Sequence, residues 1–172
     1  MPITLSSLSA ASRRASRTTA KQELALESAR AAGKTTVFLC HSHADRSYVI
    51  GLVELLHEEG WDAYVDWMDD TMPPRPNRTT AERIKLRIRQ ADYFMFLATP
   101  NSTASRWCPW EIGFADGVKP IDTIMVVQTQ DGQGNNYGNE YLDLYRKVDV
   151  SQQGPLGAWR PGEASGAFVK TL

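Results

Sequence analysis

The sequence predicts an α/β domain built on a flavodoxin-like, doubly wound parallel sheet of four to five strands. Three observations predict it. Short β-rich apolar runs recur at TTVFLC (35–40), WDAYVDW (61–67), DYFMFLAT (92–99) and IDTIMVVQT (121–129). Amphipathic segments of helical spacing stand between them, as parallel strands require. DYFMFLAT is almost continuously apolar, the pattern of a strand covered on both faces.

Taken in order, the chain opens with a basic stretch. Residues 1 to 22 hold Arg13, Arg14, Arg17 and Lys21 but no acid, among many Ser, Thr and Ala. That composition suits a disordered tail or an organelle transit peptide. Residues 1–33 are therefore expected to be a basic tail with a possible helix, and 34–172 the folded domain. The helix has Thr19 as cap, Gln22 completing a capping box, and Gly33 as terminator. After the strand 35–40, Asp45 is placed to cap a helix whose Val49, Leu52, Val53 and Leu56 share one face, with Gly60 ending it. The second strand is 61–67. MDDTMPPRPNR (68–78) contains three prolines and can be only a loop. Thr79 or Thr80 starts a helix with Ala81, Ile84, Ile88 and Ala91 inward and a basic run, Arg83 to Arg89, along its solvated flank. Pro109 suits the first turn of the next helix, which runs to Gly117. QDGQGNNYG (130–138) is a loop, RKVDV (146–150) a short last strand, and GEASGAFVKTL (162–172) a final short helix.

The composition excludes several classes. The chain has 172 residues, 42% of them hydrophobic, and a net charge of -1, so no strong field draws it to nucleic acid or anionic lipid. Its two cysteines, Cys40 and Cys108, make no disulfide framework and fit a reducing, cytoplasmic setting. No apolar run approaches the roughly 20 residues of a membrane span. Neither a dinucleotide glycine fingerprint nor a phosphate-binding loop is present.

In a sheet of order 2-1-3-4-5, ligands bind beyond the carboxyl ends of the first and third strands, where strand order reverses. The loops there are 41–46 and 99–110, with the loop after the second strand overhanging them. This topology gathers His41, Ser42, His43, Asp45, Asp66, Trp107 and Glu111 into one neighbourhood. His41, His43 and Asp45 have the H-x-H-x-D spacing of half a zinc site. Yet the chain has three histidines in all, His57 lies within a helix, and Arg46 stands where another ligand belongs. No metal is expected; one imidazole should face inward and the other outward.

Two segments resemble Toll/interleukin-1 receptor (TIR) domains. VFLCHSHADRSYVIGLVELLHEEGWDAYVDW (37–67) is similar to their opening strand, helix and second strand. ADYFMFLATPNSTASRWCPWEIGFADG (91–117) is similar to their third strand and following helix, in the bacterial style. The resemblance runs from Thr35 to Val150, with 68–78 in the place of the mobile BB loop. It implies an NAD+ glycohydrolase or cyclase that splits the nicotinamide–ribose bond, giving ADP-ribose or a cyclic or conjugated product in bacterial immune signalling. NAD+ would be substrate, with no cofactor. The resemblance places the catalytic carboxylate on Glu111, in SRWCPWE, makes Trp107 a stacking wall, and brings Ser42 and its neighbours to the nucleotide. It also implies other TIR copies as partners in a homo-oligomer and an effector that reads the product. The alternative is a non-catalytic adaptor working by TIR–TIR association through the BB loop. With Pro109 first in its helix, Glu111 falls third, where the helix amino terminus favours the ionised form. An ionised carboxylate suits an oxocarbenium-like transition state.

Overall fold

The computed structural model describes residues 1–15, 28–69, 72–73 and 75–172. In chain order its elements are β1 (Ile3–Thr4), α1 (Leu5–Arg14), β2 (Thr36–Cys40), α2 (Arg46–Glu58), β3 (Asp62–Tyr64), α3 (Arg78–Gln90) and β4 (Tyr93–Ala98). They continue with α4 (Pro100–Thr103), α5 (Cys108–Val118), β5 (Ile124–Gln130), β6 (Arg146–Val150), β7 (Leu156–Trp159) and β8 (Ala167–Phe168). The sheet runs β3-β2-β4-β5-β6-β7-β8, with β1 beside β5. From β3 to β6 every pairing is parallel, giving the expected 2-1-3-4-5 order.

Strand alternation divides the interior into two cores. Val37, Leu39, Met95, Leu97, Met125 and Val127 face α1 and α2, while Phe38, Cys40, Phe94, Phe96, Ile124 and Val126 face α3 and α5. Both sets are buried, which is why these strands read as unbroken apolar runs.

The structure departs from the sequence reading at four places. Residues 1–15 are no tail: β1 pairs in parallel with the end of β5, and α1 packs across α2 with Ile3, Leu8 and Ala11 fully buried. The arginines Arg13 and Arg14 lie in the last turn of α1. Thr19 and Gln22 lie outside the described residues. Gly33 does end a helical turn, at φ 69°, with Gly33 N–H on Arg30 O and Lys34 N–H on Ala29 O.

The strand expected over 61–67 stops at Tyr64, and Asp66–Met68 form a 3-10 turn. Asp66 Oδ1 accepts the Trp67 N–H at 2.7 Å, a local bond that competes with the strand ladder. The helix placed at Thr79 or Thr80 is capped by Asn77, whose side chain accepts from Thr80 N–H while the Thr80 hydroxyl accepts from Asn77 N–H. The expected C-terminal helix is β8 and a 3-10 turn, because the chain after β6 folds back as two antiparallel strands.

Candidate active site

β2 and β4 end side by side, with Cys40 opposite Phe96, and the loops that follow them form the mouth of the sheet. Asp45 ties these loops together. Its carboxylate accepts from the Thr99 hydroxyl at 2.5 Å and from Asn101 Nδ2 at 2.6 Å, and only 1% of the residue is exposed. It stands at the start of α2, as expected, but makes no side-chain capping bond. Asp45 is therefore a strut between the two loops and is corrected from its expected place among residues facing a ligand. Ser42 caps the adjoining 3-10 turn by accepting from Ala44 N–H at 3.4 Å.

Glu111 sits one position deeper in α5 than expected, because the helix begins at Cys108; its N–H bonds to Trp107 O at 2.9 Å. It is 6% exposed, and its carboxyl meets the Cys40 thiol. Burial, reinforced by Cys108 and opposed by the Cys40 contact, pushes its pKa up to about 8. The expectation of an ionised glutamate is thus overturned. A helix amino terminus offers about 0.3–1 kcal/mol, less than one pKa unit, whereas full burial of a carboxylate shifts it by up to about 3–5 units.

The histidines divide as expected. The His41 side chain is 2% exposed and that of His43 69%. His41 Nδ1 donates to Leu39 O at 2.8 Å, while Nε2 lies 3.3 Å from Asp66 Oδ1 without a hydrogen bond. His43 Nε2 bonds to Asp66 Oδ2 at 3.0 Å. Burial lowers the His41 pKa, and the bond to Asp66 raises that of His43. For Asp66, burial opposes ionisation, but the His43 bond and both imidazoles outweigh it and hold the carboxyl below its ordinary range. The charges of Asp66 and His43 both act on Glu111.

Trp107, half-buried, meets Trp110 edge-on at 5.4 Å, and Trp110 in turn stacks near Phe114. Lys85 lies over Trp110 and Phe114. The basic run of α3 is not wholly solvated: Arg87 is 8% exposed and 3.6 Å from buried Asp69, which accepts from the Tyr64 hydroxyl at 2.6 Å. This cluster anchors the start of the 68–78 loop.

Two neighbours of the site were not singled out from sequence, Cys40 and Trp67. The alternation of β2 carried the signal for Cys40, which shares Phe38's face and so must meet the start of α5. Trp67 stands edge-on to His41 at 6.2 Å, with Arg46 over its ring at 4.2 Å. A cavity of about 450 Å³ lies elsewhere, lined by Met1, Asp149, Trp159 and Phe168 among others, and touches none of the candidate residues.

A doubly wound sheet with a buried glutamate at the point where strand order reverses defines a flavodoxin-like domain with an acidic site. The chain belongs to the TIR domain family, whose model matches residues 37–154. It is 33% identical over 114 residues to a protein of Bacillus cereus (strain MSX-D12) named as a probable 3' cyclic ADP-D-ribose synthase, ThsB'. That match takes in 65% of this chain and 59% of the relative's length. The crystal structure of a prokaryotic SEFIR domain aligns at a TM-score of 0.49 and 13% identity, over 69% of this chain and 89% of that one. No helix among the described residues is long and apolar enough to cross a membrane.

Proposed function

We propose that this chain cleaves NAD+ at the nicotinamide–ribose bond, with Glu111 as the carboxylate that faces the ribose. The observation that carries the reading is a glutamate buried at the switch point of the sheet, with its pKa pushed to about 8. A buried carboxylic acid of this kind is costly to a fold and is typical of reactive sites.

NAD+ brings its own positive charge on the nicotinamide ring. That charge, arriving beside protonated Glu111, favours loss of the carboxyl proton to solvent. The carboxylate then opposes the cation that moves onto the ribose as the bond from C1′ to the ring nitrogen breaks. The bonding pair leaves with nicotinamide, which departs neutral and needs no acid. The oxocarbenium-like centre is captured by an oxygen nucleophile, which loses its proton to solvent. Water gives ADP-ribose, and an internal hydroxyl gives a cyclic product. The name of the Bacillus cereus relative supports the cyclic outcome. In this reading Trp107 supplies a stacking wall, and Ser42 and His43 border the nucleotide. The product would serve as a signal in bacterial defence, read by an effector. The near-complete cover over Glu111 in a single chain supports association with further copies as the step that opens or completes the site.

The test is incubation with NAD+ and mass analysis of every nucleotide formed, across a range of protein concentrations. Wild type should release nicotinamide, more than proportionally as protein concentration rises. Glu111→Gln should lose release by a factor of at least about 100 while remaining folded, with a melting temperature no lower than that of wild type. Release by the variant at the wild-type rate defeats the assignment of Glu111. No release by wild type at any concentration defeats NAD+ cleavage and leaves the adaptor role.

A further inference from the structure

We infer that His41, His43 and Asp66 form a binding site for one divalent cation of the zinc class. Their ligand atoms all lie within 4.8 Å of one another. The site is not the H-x-H-x-D pattern visible in the sequence. Asp45 is committed to Thr99 and Asn101, and the third ligand comes from the loop after β3.

His41 Nε2 is the telling atom. It is buried and finds no hydrogen-bond partner among the described residues. The Leu39 carbonyl can only accept, so Nδ1 carries the proton and the neutral ring turns a lone pair outward from Nε2. The Asp66 carboxylate lies beside that atom. Oδ1 is 3.3 Å away but off the line a hydrogen bond would need. A tetrahedral zinc ion with ligand bonds of about 2.0–2.1 Å separates neighbouring donor atoms by about 3.3 Å. The His41–Asp66 pair is thus spaced as two ligands of one ion. The second shell is also in place: a ligating histidine usually gives its other N–H to a carbonyl, and a ligating carboxylate accepts a further bond. Here these are Leu39 O and the Trp67 N–H on Asp66 Oδ1, at 2.8 and 2.7 Å.

His43 completes the set. Its Nε2 is 3.0 Å from Asp66 Oδ2, and its ring is exposed, so that an ion can take the place of the proton the two share. Two imidazoles and one carboxylate favour zinc, cobalt or nickel over magnesium or calcium, which prefer oxygen donors alone. Three protein ligands leave one position for water. This site does not depend on NAD+ cleavage, and the two can fail separately.

The experiment is calorimetric titration of the metal-stripped full chain with Zn2+. It should bind one equivalent that Mg2+ at the same concentration does not displace. His43→Ala, at an exposed position that folding does not need, and Asp66→Asn should each weaken binding at least about tenfold, and His57→Ala should not. Cobalt in place of zinc should show ligand-field bands without thiolate charge transfer, which excludes Cys40 and Cys108 as ligands. No binding, binding untouched in the His43→Ala and Asp66→Asn variants, loss on His57→Ala, or a thiolate band would each overturn the site.

Discussion

Glu111 holds its proton at neutral pH because burial outweighs every stabilising influence on its charge, and two measurable consequences follow from that balance. If the ionised carboxylate is the reactive form, kcat/KM for nicotinamide release, which reports the free protein, should rise with pH through about 8 and level off above it. A profile flat between about pH 6 and 9 would deny Glu111 that role. The second consequence is for stability. The folded pKa lies above the ordinary value of 4.5, so the folded state binds the proton more tightly than the unfolded state. Stability is then greatest at low pH and is lost as pH rises from about 4.5 to about 8, where the unfolded carboxyl ionises freely and the buried one does not. Glu111→Gln removes that loss. Its gain over wild type in urea unfolding should be small near pH 5 and on the order of a few kcal/mol near pH 9. An equal gain at both pH values would mean that the side chain is solvated after all. The location of Glu111 was legible, since an acid in the first turn after an apolar strand belongs at the mouth of such a sheet. Its protonation was not, because burial at the mouth of the sheet depends on how distant segments pack, and the thiols that act on it, Cys108 raising its pKa and Cys40 lowering it, come from its own helix and from β2. Asp45 misled for a similar reason: its partners, Thr99 and Asn101, lie 54 and 56 positions away.

Among the elements, legibility followed the number of faces buried. β2, β4 and β5 are covered on both sides and announce themselves as apolar runs, and α2 shows a single clean stripe. β7 and the edge strand β8 are short pieces containing Gly and Ala and carry no period to read. α1 was missed because its buried side consists of small residues and one leucine. Its partner carried a clue in Gly51, in the middle of α2, where a glycine costs helix stability. A Cβ at that position would lie 2.0 Å from the Leu8 carbonyl oxygen and 2.7 Å from its carbon, so the two helices cross backbone to backbone. Gly51→Ala pits two effects against each other. Helix propensity favours alanine by about 1 kcal/mol, and overpacking costs about 1–3 kcal/mol. Since the clash is with backbone and no side chain can swing away, packing should win. The variant should unfold at lower urea, with amide exchange protection in residues 1–15 reduced first. A more stable variant would mean that α1 is only loosely seated.

For the whole molecule, the question is where the folded unit begins. A boundary near residue 34 follows from composition, because a basic, Ser- and Ala-rich stretch lacks the apolar content of a core. The fold uses that stretch differently. The Met1 ammonium bonds to Val150 O, β1 extends the sheet beside β5, and Leu8 fills the first core beneath Gly51. The solvent side of α1 keeps its charge, with Arg14 near Glu58 at 3.7 Å, both more than half exposed. Ion pairs of that kind contribute about 0–1 kcal/mol, so the apolar side decides. Ile3 and Leu8 are fully buried and at about 1.5–3 kcal/mol each contribute most of what α1 and β1 supply. Their removal also bares the α2 face against which they lie. Set against a typical total of about 5–15 kcal/mol, this loss is large. A chain starting at residue 34 should therefore melt well below the full chain, or fail to fold, when the two are compared by circular dichroism. Equal melting temperatures would make residues 1–33 the appendage their composition suggests, and the sheet would then be complete without β1.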